Sequence, residues 1–171
     1  MKNSFFLNSI RFVVLLLFQV LILNHIRLNG FINPYVYILF ILLLPLNISG
    51  WLLLILGFFT GLSVDLFMGT PGLHAGATVF MAFMRPTIIR VLSRGKDLEK
   101  IVEPSINTMG SSWFFFYSLF LVSLHHIVLF FFEAFNMNQL GDTLLRIVAS
   151  IPVSEIFILL IVYFFRSQKK S

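Results

Sequence analysis

Apolar runs about as long as a bilayer-crossing helix follow one another along this chain, and no other feature restricts its fold as much. No water reaches the hydrocarbon to bond exposed N–H and C=O groups. A crossing segment must therefore satisfy its own backbone, as a helix does, or join a closed barrel. Barrel strands alternate polar and apolar residues, and the continuous runs here exclude them. Of the 171 residues, 58% are hydrophobic and 11% charged, against roughly a quarter charged in soluble domains. The deficit extends through the whole length. The expectation is an all-α integral membrane protein, a single bundle of six transmembrane helices without a separate soluble domain.

At about 20 residues per crossing, the spans are expected at about 9–28, 31–46, 51–67, 72–91, 112–134 and 143–165. The second is short and needs Phe31 and Ile32 or a thin bilayer; Pro34 suits its first turn. Trp51 opens the third at a membrane interface, and Pro86 and Pro152 predict bends in the fourth and sixth. The first run resembles a signal peptide, but no small-x-small cleavage site follows it before His25, so it is expected to stay as the first span. The chain has no cysteine, which removes disulfide and thiol chemistry. It shows no internal repeat.

Basic residues set the expected orientation. Lys2 and Arg11 lie at the first span, Arg90, Arg94, Lys96 and Lys100 after the fourth, and Arg166, Lys169 and Lys170 after the sixth. An even number of spans gathers all three clusters on one side, leaving Arg27 and Arg146 opposite, near Glu133 and Asp142. Both termini are then cytoplasmic. The net charge of +5 is accounted for by topology and by attraction to anionic membrane lipid, with no nucleic-acid partner.

Residues 57–86 hold most of what is costly in lipid. Two Gly-x-x-x-Gly pairs, Gly57 with Gly61 and Gly72 with Gly76, flank a turn and predict close helix packing within the bundle. Asp65, His74 and Arg85 follow, and Glu155 lies in the sixth span. Ionisable groups at such depth face other protein. Helix rise places Asp65, His74, His125 and His126 in the outer third and Arg85 and Glu155 nearer the middle. Asp65 is expected to bond His74 or turn N–H groups, either as a brace or in a direct chemical role. Arg85 either pairs with Glu155 or snorkels to the cytoplasmic surface. His125 and His126 are adjacent, about 100° apart on a helix, so a metal site is not expected. Phe114 to Phe116 and Phe130 to Phe132 read as lipid-facing bulk.

No phosphate loop, zinc-helix motif or nucleophile elbow occurs. Asp65 with a histidine would make an acid–base pair, but nothing supplies a nucleophile or oxyanion site beside it. No catalytic residue, cofactor or metal is expected, and binding or scaffolding remains as the class of function.

Gly57, Gly61, Asp65, Leu66 and Gly72, the run GLHAGATVFMAFMRP, and Asn33, Pro34, Pro45, Pro152 and the basic tail together resemble the bacterial rod shape-determining protein MreD family. The resemblance covers essentially the whole chain. It implies a non-enzymatic component of the cell-elongation machinery in the bacterial inner membrane. The implied partner is MreC, a single-span protein, with the MreB filament, the RodA glycosyltransferase and a penicillin-binding transpeptidase working alongside. It also implies a fold resembling the six-helix substrate-binding subunits of energy-coupling-factor vitamin transporters. That likeness defines the alternative, a vitamin-binding subunit whose pocket in the outer half would draw on Asp65, His125 and His126; Trp113, also a candidate, lies at the opposite, cytoplasmic end in this topology.

Overall fold

The computed structural model describes residues 2–26, 32–95, 98, 101–134 and 140–165. The expected basic positions Arg27, Lys96, Lys100 and 166–170 lie outside them. Among the described residues all regular structure is helical: α1 (Lys2–Leu21), a single 3-10 turn (Leu23–His25), α2 (Leu39–Leu42), α3 (Gly50–Met68), α4 (Leu73–Leu92), α5 (Ile106–Met109), α6 (Ser111–Ala134) and α7 (Leu140–Phe164). Five helices are long and apolar enough to cross a membrane, the first counted over Phe6–His25. α4 continues through Pro86 and α7 through Pro152.

The helices pack in the order α3 on α4, α4 on α6 and α6 on α7, with α1 against α3. One end of the bundle gathers Arg11 against Glu103 at 3.0 Å, Leu46 N donating to Val102 O at 2.9 Å, and Trp113 Nε1 donating to Ser93 Oγ at 3.1 Å. Arg90 and Arg94 lie near it in sequence, so it is the basic end. The opposite end carries the α3–α4 turn and the Arg146–Glu133 pair at 3.2 Å.

The expected second spanning helix, at 31–46, is not a helix. Residues 33–36 are irregular, α2 is a single turn, and every residue from Pro34 to Leu42 is buried. The segment still runs from the level of Gln19, near the end of α1, back to the basic end at Leu46. It is an irregular strap threaded inside the bundle. Non-helical backbone at membrane depth is tolerated only where protein supplies its hydrogen bonds, and here it does. Gln19 Oε1 accepts from Val36 N at 2.8 Å and Tyr37 N at 3.3 Å, while its Nε2 donates to Pro34 O at 3.1 Å. Ser154 Oγ accepts from Tyr35 N at 2.9 Å.

The phenylalanines of α6 divide. Phe115, Phe116, Phe131 and Phe132 are exposed as bulk on the surface, but Phe114 and Phe130 are buried in the core, which corrects the expectation for those two. The helix rotates about 100° per residue, so three consecutive residues cannot share one face.

Candidate functional site

The buried polar residues form two networks, one at each end of the strap. The first centres on Asp65, in the last turn of α3. Its Oδ1 accepts from Thr70 Oγ1 at 2.9 Å, His74 N at 3.0 Å and His74 Nδ1 at 2.9 Å; its Oδ2 accepts from Gly72 N at 3.1 Å and Ala75 N at 3.0 Å. The first N–H groups of a helix have no partner within it. The N-cap of α4 is Gly72, which has no side chain to offer, so Asp65 caps α4 from the neighbouring helix. A carboxylate has about four lone-pair sites, and five donors occupy them. Asp65 is a clamp in this geometry, the arrangement expected of a brace.

The glycines of this hairpin do three different things. A Cβ on Gly61 would stand 2.6 Å from Ala75 N, and one on Gly57 3.1 Å from Ala82 Cβ, so these two are where α3 and α4 touch. Gly72 has open space around it and is required instead by its φ of +86°. Gly76 faces Phe132 of α6. The second Gly pair is therefore not a packing stripe between α3 and α4, as its spacing suggests.

Beside the clamp lies an aromatic and imidazole cluster. Tyr35 sits 5.3 Å from His74, 6.1 Å from His125 and 5.5 Å from His126, ring centre to ring centre. Thr78 Oγ1 donates to His74 O at 2.7 Å, which leaves it to accept from the Tyr37 hydroxyl at 3.1 Å. Tyr37 then accepts from His125 Nε2 at 2.6 Å. His126 Nδ1 donates to Val122 O at 2.8 Å and its Nε2 accepts from Ser154 Oγ at 3.0 Å. His74 Nε2 and His125 Nδ1 remain as buried nitrogens with no partner. Among the described residues no three His, Cys, Asp or Glu side chains gather as a metal site would need.

The second network surrounds Arg85. Its Nε donates to the Tyr117 hydroxyl at 2.9 Å, one Nη to Leu44 O and the other to Pro45 O at 3.5 Å; Tyr117 in turn donates to Leu42 O at 2.9 Å. Arg85 closes the carbonyl end of the strap, and it is 1% exposed, so it does not snorkel. Nor does it pair with Glu155, whose Oε1 lies 2.5 Å from Ser118 Oγ. Tyr117 and Ser118 are consecutive on α6 and point about 100° apart. Arg85 of α4 and Glu155 of α7 thus lie at one depth on different sides of α6. Replacing Arg85 by methionine is expected to lower stability by about 2 kcal/mol, because the Leu44 and Pro45 carbonyls lose their donor. Tyr117→Phe should cost about half as much. Wild-type melting of both purified variants in detergent would contradict the assignment.

Ser118 has one proton for three acceptors: Phe114 O at 2.7 Å, Phe115 O at 3.2 Å and Glu155 Oε1. A donor in place of Glu155 removes that competition. Glu155→Gln should keep or raise the melting temperature, whereas Glu155→Leu, which leaves the site without a polar partner, should not; a fall with glutamine equal to that with leucine would refute this.

Sequence reasoning found Asp65, His74, Arg85 and Glu155, and the inward stripe of α4 that also carries Thr78, but passed over Gln19, Tyr35, Tyr37, Tyr117, Ser118 and Ser154. Gln19 carried the clearest signal, a buried amide within an otherwise apolar run.

Five long apolar helices with capped and buried polar networks between them define a multi-pass, all-α membrane protein. No family model, curated protein or solved structure matches the chain.

Proposed function

We propose that this protein is a non-enzymatic component of the bacterial cell-elongation machinery in the inner membrane, resembling MreD and binding the single-span protein MreC in support of lateral wall synthesis. Both termini face the cytoplasm in this reading, and the strap supplies the second of six crossings. One observation carries it: four of the residues on which the resemblance rests, Gly57, Gly61, Asp65 and Gly72, act together in one hairpin. Gly57 and Gly61 bring α3 onto α4, Asp65 clamps the first turn of α4, and Gly72 gives the turn its conformation. A rigid hairpin of this kind suits a scaffold that offers a fixed face to a partner helix.

A second reading, a vitamin-capture subunit of an energy-coupling-factor type transporter, draws on the unpartnered His74 Nε2 and His125 Nδ1. Against it, the buried rings of Tyr35 and Tyr37 of the chain itself pack against both of those imidazoles. The test is gentle solubilisation of the tagged chain from its native membrane and mass spectrometry of what accompanies it. A single-span protein with a periplasmic coiled coil is expected. A transmembrane coupling protein with a pair of ATPases would replace the first reading with the second.

A further inference from the structure

Among the described residues two acids are buried, and their surroundings are opposite in kind. Asp65 accepts from five donors. Glu155, 3% exposed, meets a single hydroxyl, that of Ser118, through Oε1, and its Oε2 is buried with no hydrogen-bond partner. No cation balances it. Among the described residues Arg11 pairs with Glu103, His74 with Asp65 and Arg146 with Glu133. Arg85 is held by Tyr117 and the strap carbonyls on another side of α6, His125 by Tyr37, and His126 by Val122 O and Ser154.

Distances at Ser118 Oγ give the proton count. It lies 2.5 Å from Glu155 Oε1 and 2.7 Å from Phe114 O. Oxygen atoms approach this closely with a hydrogen between them, so the two contacts need two protons. A serine hydroxyl supplies one. A backbone carbonyl has none to give, which leaves Glu155 as the source of the second. With Glu155 as the neutral acid, its O–H donates to Ser118 Oγ and the serine hydroxyl donates to Phe114 O. An ionised Glu155 would take the serine proton, set Oγ and Phe114 O lone pair against lone pair, and stand in the membrane as an uncompensated charge, which buried carboxylates avoid by neutralising.

We infer that Glu155 is a proton-binding site inside the membrane, its carboxyl held as the neutral acid and donating to Ser118. The proton completes a contact between helices. α7 packs chiefly on α6, and Glu155 on Ser118, with Ser154 on His126 further along, ties the two together within the bundle. The site lies apart from the Asp65 clamp and does not depend on the function proposed above.

The test is infrared difference spectroscopy of the purified full-length chain at neutral pH, native minus variant. The chain has seven acidic residues, few enough for one neutral carboxylic acid to be resolved by its C=O stretch, apart from the carboxylate bands. Native minus Glu155→Gln should show one acid band lost; glutamine keeps a donor toward Ser118, so the variant is expected to fold. Native minus Glu133→Gln, which alters an acid paired with Arg146, should show only carboxylate bands lost. Ser118→Ala should keep the acid band but move it to higher frequency, because the Glu155 O–H loses its acceptor. Loss of carboxylate bands instead of an acid band in Glu155→Gln would overturn the inference. An acid band that stays in place in Ser118→Ala would overturn the pairing with Ser118.

Discussion

Gly61→Leu is expected to yield no folded protein, the largest effect of any single change in this chain. A Cβ at Gly61 meets the backbone of α4, 2.6 Å from Ala75 N, and backbone cannot step aside as a side-chain tip can. Relief requires α3 and α4 to separate, which breaks the reach of Asp65 as well. Losses above about 4 kcal/mol are exceptional for one substitution, and this one combines overpacking with a broken cap. Even Gly61→Ala carries the colliding atom. Gly57→Ala should be milder, since its nearest neighbour is the Ala82 methyl at 3.1 Å. Phe115→Leu, at the exposed surface, should be nearly neutral. The check is recovery as a monodisperse peak in detergent followed by thermal melting; recovery of Gly61→Leu at the level of Phe115→Leu would contradict the hairpin geometry.

Asp65→Ala is expected to be next, lowering stability by about 3 kcal/mol or more, because it strands several buried donors at once. The buried N–H groups of His74 and Ala75 lose their acceptor, the exposed Gly72 N–H loses its own, and His74 Nδ1 is left with Thr70 Oγ1 alone at 3.1 Å. α4 is itself the centre of the bundle, packed on both α3 and α6, so fraying its first turn reaches the core. Asp65→Asn keeps one oxygen acceptor but turns an NH2 group toward donors, and should fall between alanine and the native residue. Hydrogen exchange at His74 and Ala75 reads this directly: faster exchange confined to the α4 start is predicted, and unchanged exchange in Asp65→Ala would remove Asp65 as the cap.

How much of this was legible in the sequence depends on what each signal measures. Hydropathy measures the free energy of leaving water, so it located the five long helices and even the depth of the 33–46 segment. It carries nothing about backbone shape, and so it could not tell a spanning helix from a strap whose hydrogen bonds come from elsewhere. Those bonds are supplied by Gln19, Ser154, Arg85 and Tyr117, three of them on helices distant in sequence. The rule that ionisable groups in lipid face protein located Asp65, His74, Arg85 and Glu155. It was weaker on partners. Depth alone suggested Arg85 with Glu155, but depth is a single coordinate, and the position around α6 separates them. Spacing likewise located both Gly pairs while leaving open which helix, or which dihedral, each glycine serves.

The proposal that this hairpin-braced bundle serves wall elongation rather than solute capture predicts a cellular phenotype. The most direct measurement is cell width and lateral wall incorporation after depletion of the chain in the cells that carry it, grown with vitamins in excess. The account predicts that cells widen and round as lateral incorporation falls, and that the native chain restores them while Gly61→Leu does not. Cells that keep their shape and wall incorporation, and fail only when a vitamin becomes limiting, would contradict it.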